Sequence, residues 1–368
     1  MAVLGVSALP SNAAAAHVRP GFVGVMADGP LFFSGVKLGH QVAKMAADGV
    51  GSVRVAFNWS KAQPYQDWNE IPAGQKKHFT HGPGGVPTSY FETDRIVRLA
   101  AIHHLTLLPV VTTVPPWDGS PKGQHNQPAR DAPYGRYLTG LIRRYGPSGR
   151  FWSDHRRLPR RPLTAWQIWN EPELTENWDT FPFARSYVRL LRVAHDAIRR
   201  ADPSARVVLA ALTNYGWRDL ASIYKVQGSR RVFDEVAANP YTAQPSGVIT
   251  ILGYFRKAMD DNGDSHKPLL ATEVGWPSAK GKSSQDFGFN TTERGQAKKL
   301  SELLPLLAKN RHRLRLASFY YYTWMSTDPR HGVPFQYAGL LRFRRAKDKI
   351  DPKPAYFAFR RTVRKLER

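Results

Sequence analysis

From Gly21 onward, short apolar runs alternate with longer stretches whose apolar residues recur at helical spacing. The short runs read as strands over 22–26, Ser52–Asn58, 105–113, 164–173, 206–212, 233–240, 268–274 and 316–324. The run over 105–113 is apolar almost throughout, as a strand covered on both faces requires. Between the strands the period changes to that of a helix. Residues 93–104 place Ile96, Leu99, Ala100 and Ile102 near one face, and 40–48, 134–145, 183–200, 217–226, 248–261 and 352–366 behave alike. The helix before the last strand opens at Asn290-Thr-Thr-Glu293, a capping-box spacing with Asn290 as the cap. Eight strand–helix pairs in one alternation predict an α/β chain folded as a single (β/α)8 barrel over 17–368. A doubly wound sheet is the alternative, but no Gly-rich dinucleotide fingerprint follows any strand.

A barrel changes the weight of every residue that ends a strand, because barrel sites lie at the carboxyl ends of the strands. Two connections on that face, 60–92 and 325–351, are long and show no clear elements of their own. Such loops are usually functional, and here they are expected to wall a cleft. The fourth strand runs through Trp166 and Ile168 into Trp169-Asn170-Glu171-Pro172, where Pro172 stops it. The seventh ends Thr272-Glu273-Val274-Gly275-Trp276. Glu171 and Glu273 can therefore face one cavity, and two carboxyl groups across a cavity are what glycoside hydrolysis requires. One must carry a proton for the leaving group; the other must stay ionised. Arg54, on the second strand, is placed to stabilise an ionised carboxylate. Tyr241, after the sixth, offers a hydroxyl to one of them. Trp59, Trp117, Trp169, Trp217, Trp276 and Trp324 all end or follow strands, and an aromatic ring around the mouth suits a ligand with apolar faces and polar edges, such as a sugar.

These motifs resemble those of the clan A glycoside hydrolases, retaining barrel enzymes with the acid/base on strand four and the nucleophile on strand seven. The likeness spans the chain from about Gly21 to the last helix and is nearest to family 39-like and family 5-like bacterial glycosidases. It implies that Glu171 is the acid/base and Glu273 the nucleophile. It also implies that Asn170 binds the sugar 2-hydroxyl and that Arg54 and Tyr241 orient Glu273. By the same resemblance Trp324 would form the floor beneath the sugar, with the peptide after it cis, while Trp59, Trp117 and Trp276 are expected to line the substrate as part of the aromatic ring at the strand ends. Two departures stand out. The sixth strand reads Asn239-Pro240-Tyr241, without the His that many relatives place two residues before the Tyr. The chain also ends after its eighth helix, without the β-sandwich of larger relatives. Sugar identity, anomeric configuration and endo or exo action therefore stay open, and so does hydrolysis as against transfer by a transglycosylase on the same site.

The 368 residues carry 53 basic and 29 acidic side chains, a net charge of +24. A basic excess of this size raises nucleic acid, anionic membrane or acidic polymer as partners. Arg156, Arg157, Arg160, Arg161, Arg199, Arg200, Arg230 and Arg231, however, fall in helix-to-strand connections, on the face opposite the strand ends. Nucleic acid would need basic side chains interleaved with aromatics along one groove, whereas here the two are expected at opposite ends. The expected partner is a carbohydrate, with an anionic sugar among the classes admitted. A non-catalytic barrel holding an acidic polysaccharide is the rival reading. There is no cysteine and no HExxH pairing, so neither a metal nor another cofactor is expected. No run approaches the roughly 18 apolar residues of a membrane span, and a monomer is assumed. Residues 1–16 have a short apolar core and small residues but no basic start. They read as a truncated secretory signal or as an Ala-rich tail, the former implying a secreted protein.

Overall fold

The computed structural model describes residues 17–119 and 123–367. The expected signal segment 1–16 lies outside them. Eight parallel strands follow one another around a barrel: β1 (Val23–Ala27), β2 (Ser52–Asn58), β3 (Thr106–Thr112), β4 (Ala165–Ile168), β5 (Arg206–Val208), β6 (Val236–Ala238), β7 (Leu269–Val274) and β8 (Leu316–Tyr321). β8 pairs with β1, Val23 opposite Phe319. Between β5 and β6 the ladder is reduced to the bridges Val208–Glu235 and Leu212–Ala238, with Leu209 N–H donating to the Glu235 carbonyl at 2.9 Å. Leu108, Ala165, Val208, Ala237, Leu270 and Tyr320 point inward and fill the bottom of the barrel. Their outward neighbours join one larger apolar layer beneath the helices.

That layer is covered by α1 (Leu38–Ala47), α2 (Phe91–Ile102), α3 (Asp131–Tyr145), α4 (Phe183–Ala201), α5 (Gly216–Tyr224), α6 (Pro245–Asp261), α7 (Glu293–Leu314) and α8 (Pro354–Leu366). The α7 cap is Thr292 rather than Asn290: the Thr292 hydroxyl accepts from Gly295 N–H at 3.0 Å. Arg199 and Arg200 lie in the last turn of α4 rather than in a connection. Arg199 pairs with Asp234 and Arg230 with Asp264 on the closed end of the barrel.

The two long connections are more ordered than their sequences suggest. The first carries a short helix, Trp59–Ala62, and a small hairpin of Thr80–His81 against Pro87–Thr88. The second folds into a three-stranded sheet of Met325–Ser326, Leu341–Arg344 and Lys349–Pro352. Buried Asp328 pins that sheet, contacting Lys353 at 3.2 Å and Arg342 at 3.1 Å, and Arg342 also pairs with Glu293 of α7. A third long connection, 275–292, escaped notice in the sequence and lies over the same face. Among the described residues, no helix is long and apolar enough to cross a membrane.

Candidate active site

Strand alternation alone would not deliver the two carboxylates to one place. On β4, Ala165 and Gln167 face inward and Trp166 and Ile168 outward. Trp169 then takes φ 71° and Glu171 φ 48°, left-handed conformations that cost a non-glycine residue roughly 1–3 kcal/mol each. The first turns the Trp169 indole outward, where it meets Trp178 and Tyr134 and donates to the Asn177 carbonyl at 3.2 Å. Asn170 swings inward. Backbone bonds hold the turn in place, Trp169 N–H to the Val111 carbonyl and Glu171 N–H to that of Ala211.

On β7 the register against β8 slips by one residue between Ala271 and Val274. This bulge re-aims a side chain, a known use of such irregularities beside sites. Thr272 points inward, and Glu273 does too, while Val274 returns to the outer layer. Gly275 completes the motif for a steric reason: a Cβ there would lie 2.1 Å from the Tyr322 carbonyl oxygen.

Arg54 ties the two strand ends together. Its Nη1 donates to Glu273 Oε1 at 2.5 Å, its Nη2 to Asn170 Oδ1 at 2.7 Å, and its Nε to Gln167 Oε1 at 2.8 Å. Arg54 is 1% exposed and the Glu273 side chain 12%, so this ion pair is largely shielded from water. Tyr241 donates its hydroxyl to Glu273 Oε2 at 2.9 Å. Both Glu273 oxygens thus face donors, an arrangement that complements a negative charge.

Glu171 is placed differently. It receives one hydrogen bond, from Asn239 Nδ2 to Oε1 at 2.7 Å. Thr272 donates to Asn239 Oδ1 at 2.8 Å, which fixes the amide so that its nitrogen faces Glu171. Burial pushes the Glu171 carboxyl up, the Glu273 charge pushes it further, and the opposing effects of Asn239 and Arg54 do not cancel this. The result is a pKa of about 8 against an ordinary 4.5. Asn239 is the residue that sequence reasoning missed. It occupies the position where a His was noted as absent, and that departure was the available signal.

Arg54, Asn170, Glu171, Tyr241 and Glu273 line a cavity of about 510 Å³ together with Asp28, Asn58, Lys61, His125 and Phe335. Of the nine expected site residues, Glu171, Glu273, Asn170, Arg54 and Tyr241 meet there. The four remaining tryptophans do not. Trp59 is fully buried, stacked on Tyr137 and donating to Gln63. Trp117 packs edge-on to Trp59 and donates to the Gln63 carbonyl. Trp276 is fully buried and bonded to the Thr242 carbonyl. Trp324, expected as the floor, is buried against Tyr356 of α8 and donates to Gln41 of α1. Tyr322 lines the cavity in its stead, and the cis peptide is Tyr322–Thr323 rather than the bond after Trp324. Of the tryptophans expected around the mouth, Trp169 is among the lining residues, and the other aromatic lining residues are Tyr241, Tyr322 and Phe335. Phe335 packs on Tyr322 and Tyr241, and Phe289 stacks on Tyr241 with ring centroids 5.4 Å apart. Among the described residues no cluster of His, Asp and Glu has the makings of a metal site.

No protein-family model matches the sequence, nor does any curated protein. The fold does find counterparts among solved structures. A family 39 glycoside hydrolase from Bacteroides cellulosilyticus superposes with a TM-score of 0.62 at 17% identity, over 94% of this chain and 64% of that one. A monomeric beta-xylosidase from Caulobacter crescentus gives 0.65 at 15% identity, over 94% and 68%. The GH53 catalytic domain of Ignisphaera aggregans gives 0.60 at 16% identity, over 98% and 99%. The chain therefore shares the barrel of these enzymes and spans about two thirds of the length of the first two.

Proposed function

We propose that this chain is a retaining glycoside hydrolase acting on an oligo- or polysaccharide or a glycoside, with residues 17–368 as its catalytic domain. The observation that carries the reading is the unequal setting of the two carboxyl groups. Glu171 holds its proton to about pH 8, whereas Glu273 faces a guanidinium and a phenol. The fold shared with a family 39 hydrolase and a beta-xylosidase adds support.

In the first step a Glu273 carboxylate oxygen attacks the anomeric carbon and the glycosidic C–O bond breaks. The departing oxygen takes the proton of Glu171. Because Oε1 of Glu171 already accepts from Asn239, that proton sits on Oε2. In the second step the ionised Glu171 takes a proton from water, whose oxygen attacks the anomeric carbon and releases Glu273. Asn170, held by Arg54, presents its amide nitrogen to the substrate.

A panel of aryl glycosides tests the activity, and proton NMR of the first-formed product tests the stereochemistry. Retention of anomeric configuration is expected, with loss of turnover in Glu171→Ala and Glu273→Ala. A product of inverted configuration would overturn the double-displacement reading, and absence of turnover across the panel would overturn hydrolysis.

A further inference from the structure

Beside the catalytic cavity lies a second hollow of about 540 Å³, within the range of roughly 300–1,000 Å³ typical of ligand pockets. The two share Asp28, Ala56, Asn58 and Lys61 as lining residues, so they lie side by side across the ends of β1 and β2. The floor of the second hollow is apolar: Val55, Phe57 and Ile96, where β2 meets α2. Its rim carries Phe32, Phe33 and Phe91, which are 39%, 41% and 70% exposed. Three exposed phenyl rings around one hollow are more than core packing needs. Polar groups stand between them, namely Ser89, Glu92, Lys61 and Asn58.

Asp28 is the partition between the two spaces. Its Oδ1 accepts from Gly29 N–H at 2.7 Å and caps the 3-10 turn that carries Phe32. Its Oδ2 accepts from the Tyr322 hydroxyl at 2.9 Å, in the catalytic cavity. The groove rim and the cavity wall are thereby fixed by a single carboxylate.

We propose that this groove binds the continuation of a glycan chain whose reacting sugar occupies the catalytic cavity. The substrate is then an oligo- or polysaccharide engaged over at least two units rather than a single terminal sugar. The inference rests on the glycoside hydrolase reading and deepens it. Sugar rings offer apolar C–H faces to the phenyl groups and hydroxyls to the intervening polar side chains. An apolar aglycone such as a lipid would satisfy the phenyl rings but offer no hydrogen bond to Asn58, Ser89 or the exposed Lys61–Glu92 pair, whose charged atoms lie 3.5 Å apart.

The test uses the full chain, binding by calorimetry to plant and bacterial oligosaccharides of two to six units, and turnover of aryl monoglycosides. Phe32→Ala/Phe91→Ala removes two rim rings; Ser89→Trp fills the groove. Affinity should rise with oligosaccharide length in the parent chain and fall roughly three- to tenfold in both variants, with aryl monoglycoside kcat/KM unchanged. Length-independent affinity, or variants that bind long oligosaccharides as the parent does, would overturn the groove. So would a loss confined to glycosides with bulky apolar aglycones. Length-dependent binding without turnover would support the groove while removing the hydrolase reading.

Discussion

Replacing Glu273 by Gln removes a negative charge from the neighbourhood of Glu171 without changing the shape of the side chain. Burial is the larger reason that Glu171 titrates near 8 and the Glu273 charge the next. Direct attack needs carboxyl groups about 5–5.5 Å apart. Two unit charges at that distance interact by about 3 kcal/mol at an effective dielectric of about 20, or about two pKa units. Glu171 in Glu273→Gln should therefore titrate well below its parent value, yet still above the ordinary 4.5 because burial persists. The guanidinium of Arg54, no longer neutralised, pulls in the same direction, so two units is a lower bound. Titration of the glutamate side-chain carboxyl carbons by NMR reads this, with Glu171 assigned from its absence in Glu171→Gln. A Glu171 that titrates near 4.5 in the parent chain, or does not move in Glu273→Gln, would refute the assignment of acid and base.

Asn239→Ala should shift Glu171 the other way, since the lost N–H stabilised its charged form; the alkaline limb of the kcat/KM profile should move upward, and a downward move would contradict the role given to Asn239. Stability should depend on pH through the same group. A carboxyl raised in the folded chain favours folding below its unfolded pKa and loses that contribution as pH rises from about 4.5 toward 8, so urea midpoints should fall across this window in the parent chain and fall less in Glu171→Gln. Arg54→Lys cannot reproduce the fork to Glu273, Asn170 and Gln167; kcat should drop at least tenfold, and parent-like kcat would show that one charge suffices. Trp59→Ala should cost about 3–5 kcal/mol of stability in denaturant unfolding, as a core truncation does, with little effect on KM of the folded fraction.

The alternation of strand and helix was readable because each strand is covered on both faces and each helix on one, so apolar spacing records the architecture directly. Glu171 and Glu273 were readable as two carboxyl groups facing one cavity, because each follows an apolar strand at its carboxyl end. The tryptophans were misplaced for a definite reason. Position along the chain says that a residue lies near the barrel mouth, but not whether it faces the axis or the helices. At Trp59 and Trp324 the ring turns to the helix layer, and the cavity instead takes Phe335, on a long connection where no periodicity operates, with Phe289 stacked on Tyr241. The ordered second connection was equally hidden, because its sheet is held by Asp328, Lys353 and Arg342, distant in sequence.

Period two is broken at both strand ends, by the left-handed turn after β4 that sends Trp169 outward and Asn170 inward, and by the bulge on β7 that sends Glu273 inward. Such breaks persist only if the surroundings over-determine them, and here they do so crosswise. Glu171, on β4, is held by Asn239 after β6, which Thr272 of β7 orients. Glu273, on β7, is held by Arg54 of β2, which also binds Gln167 and Asn170 on β4. Each carboxylate is therefore positioned by the strand that carries the other. A substitution at either Arg54 or Thr272 should consequently move the titration of Glu171, and a variant that left it at its parent position would mean that brace does not reach Glu171.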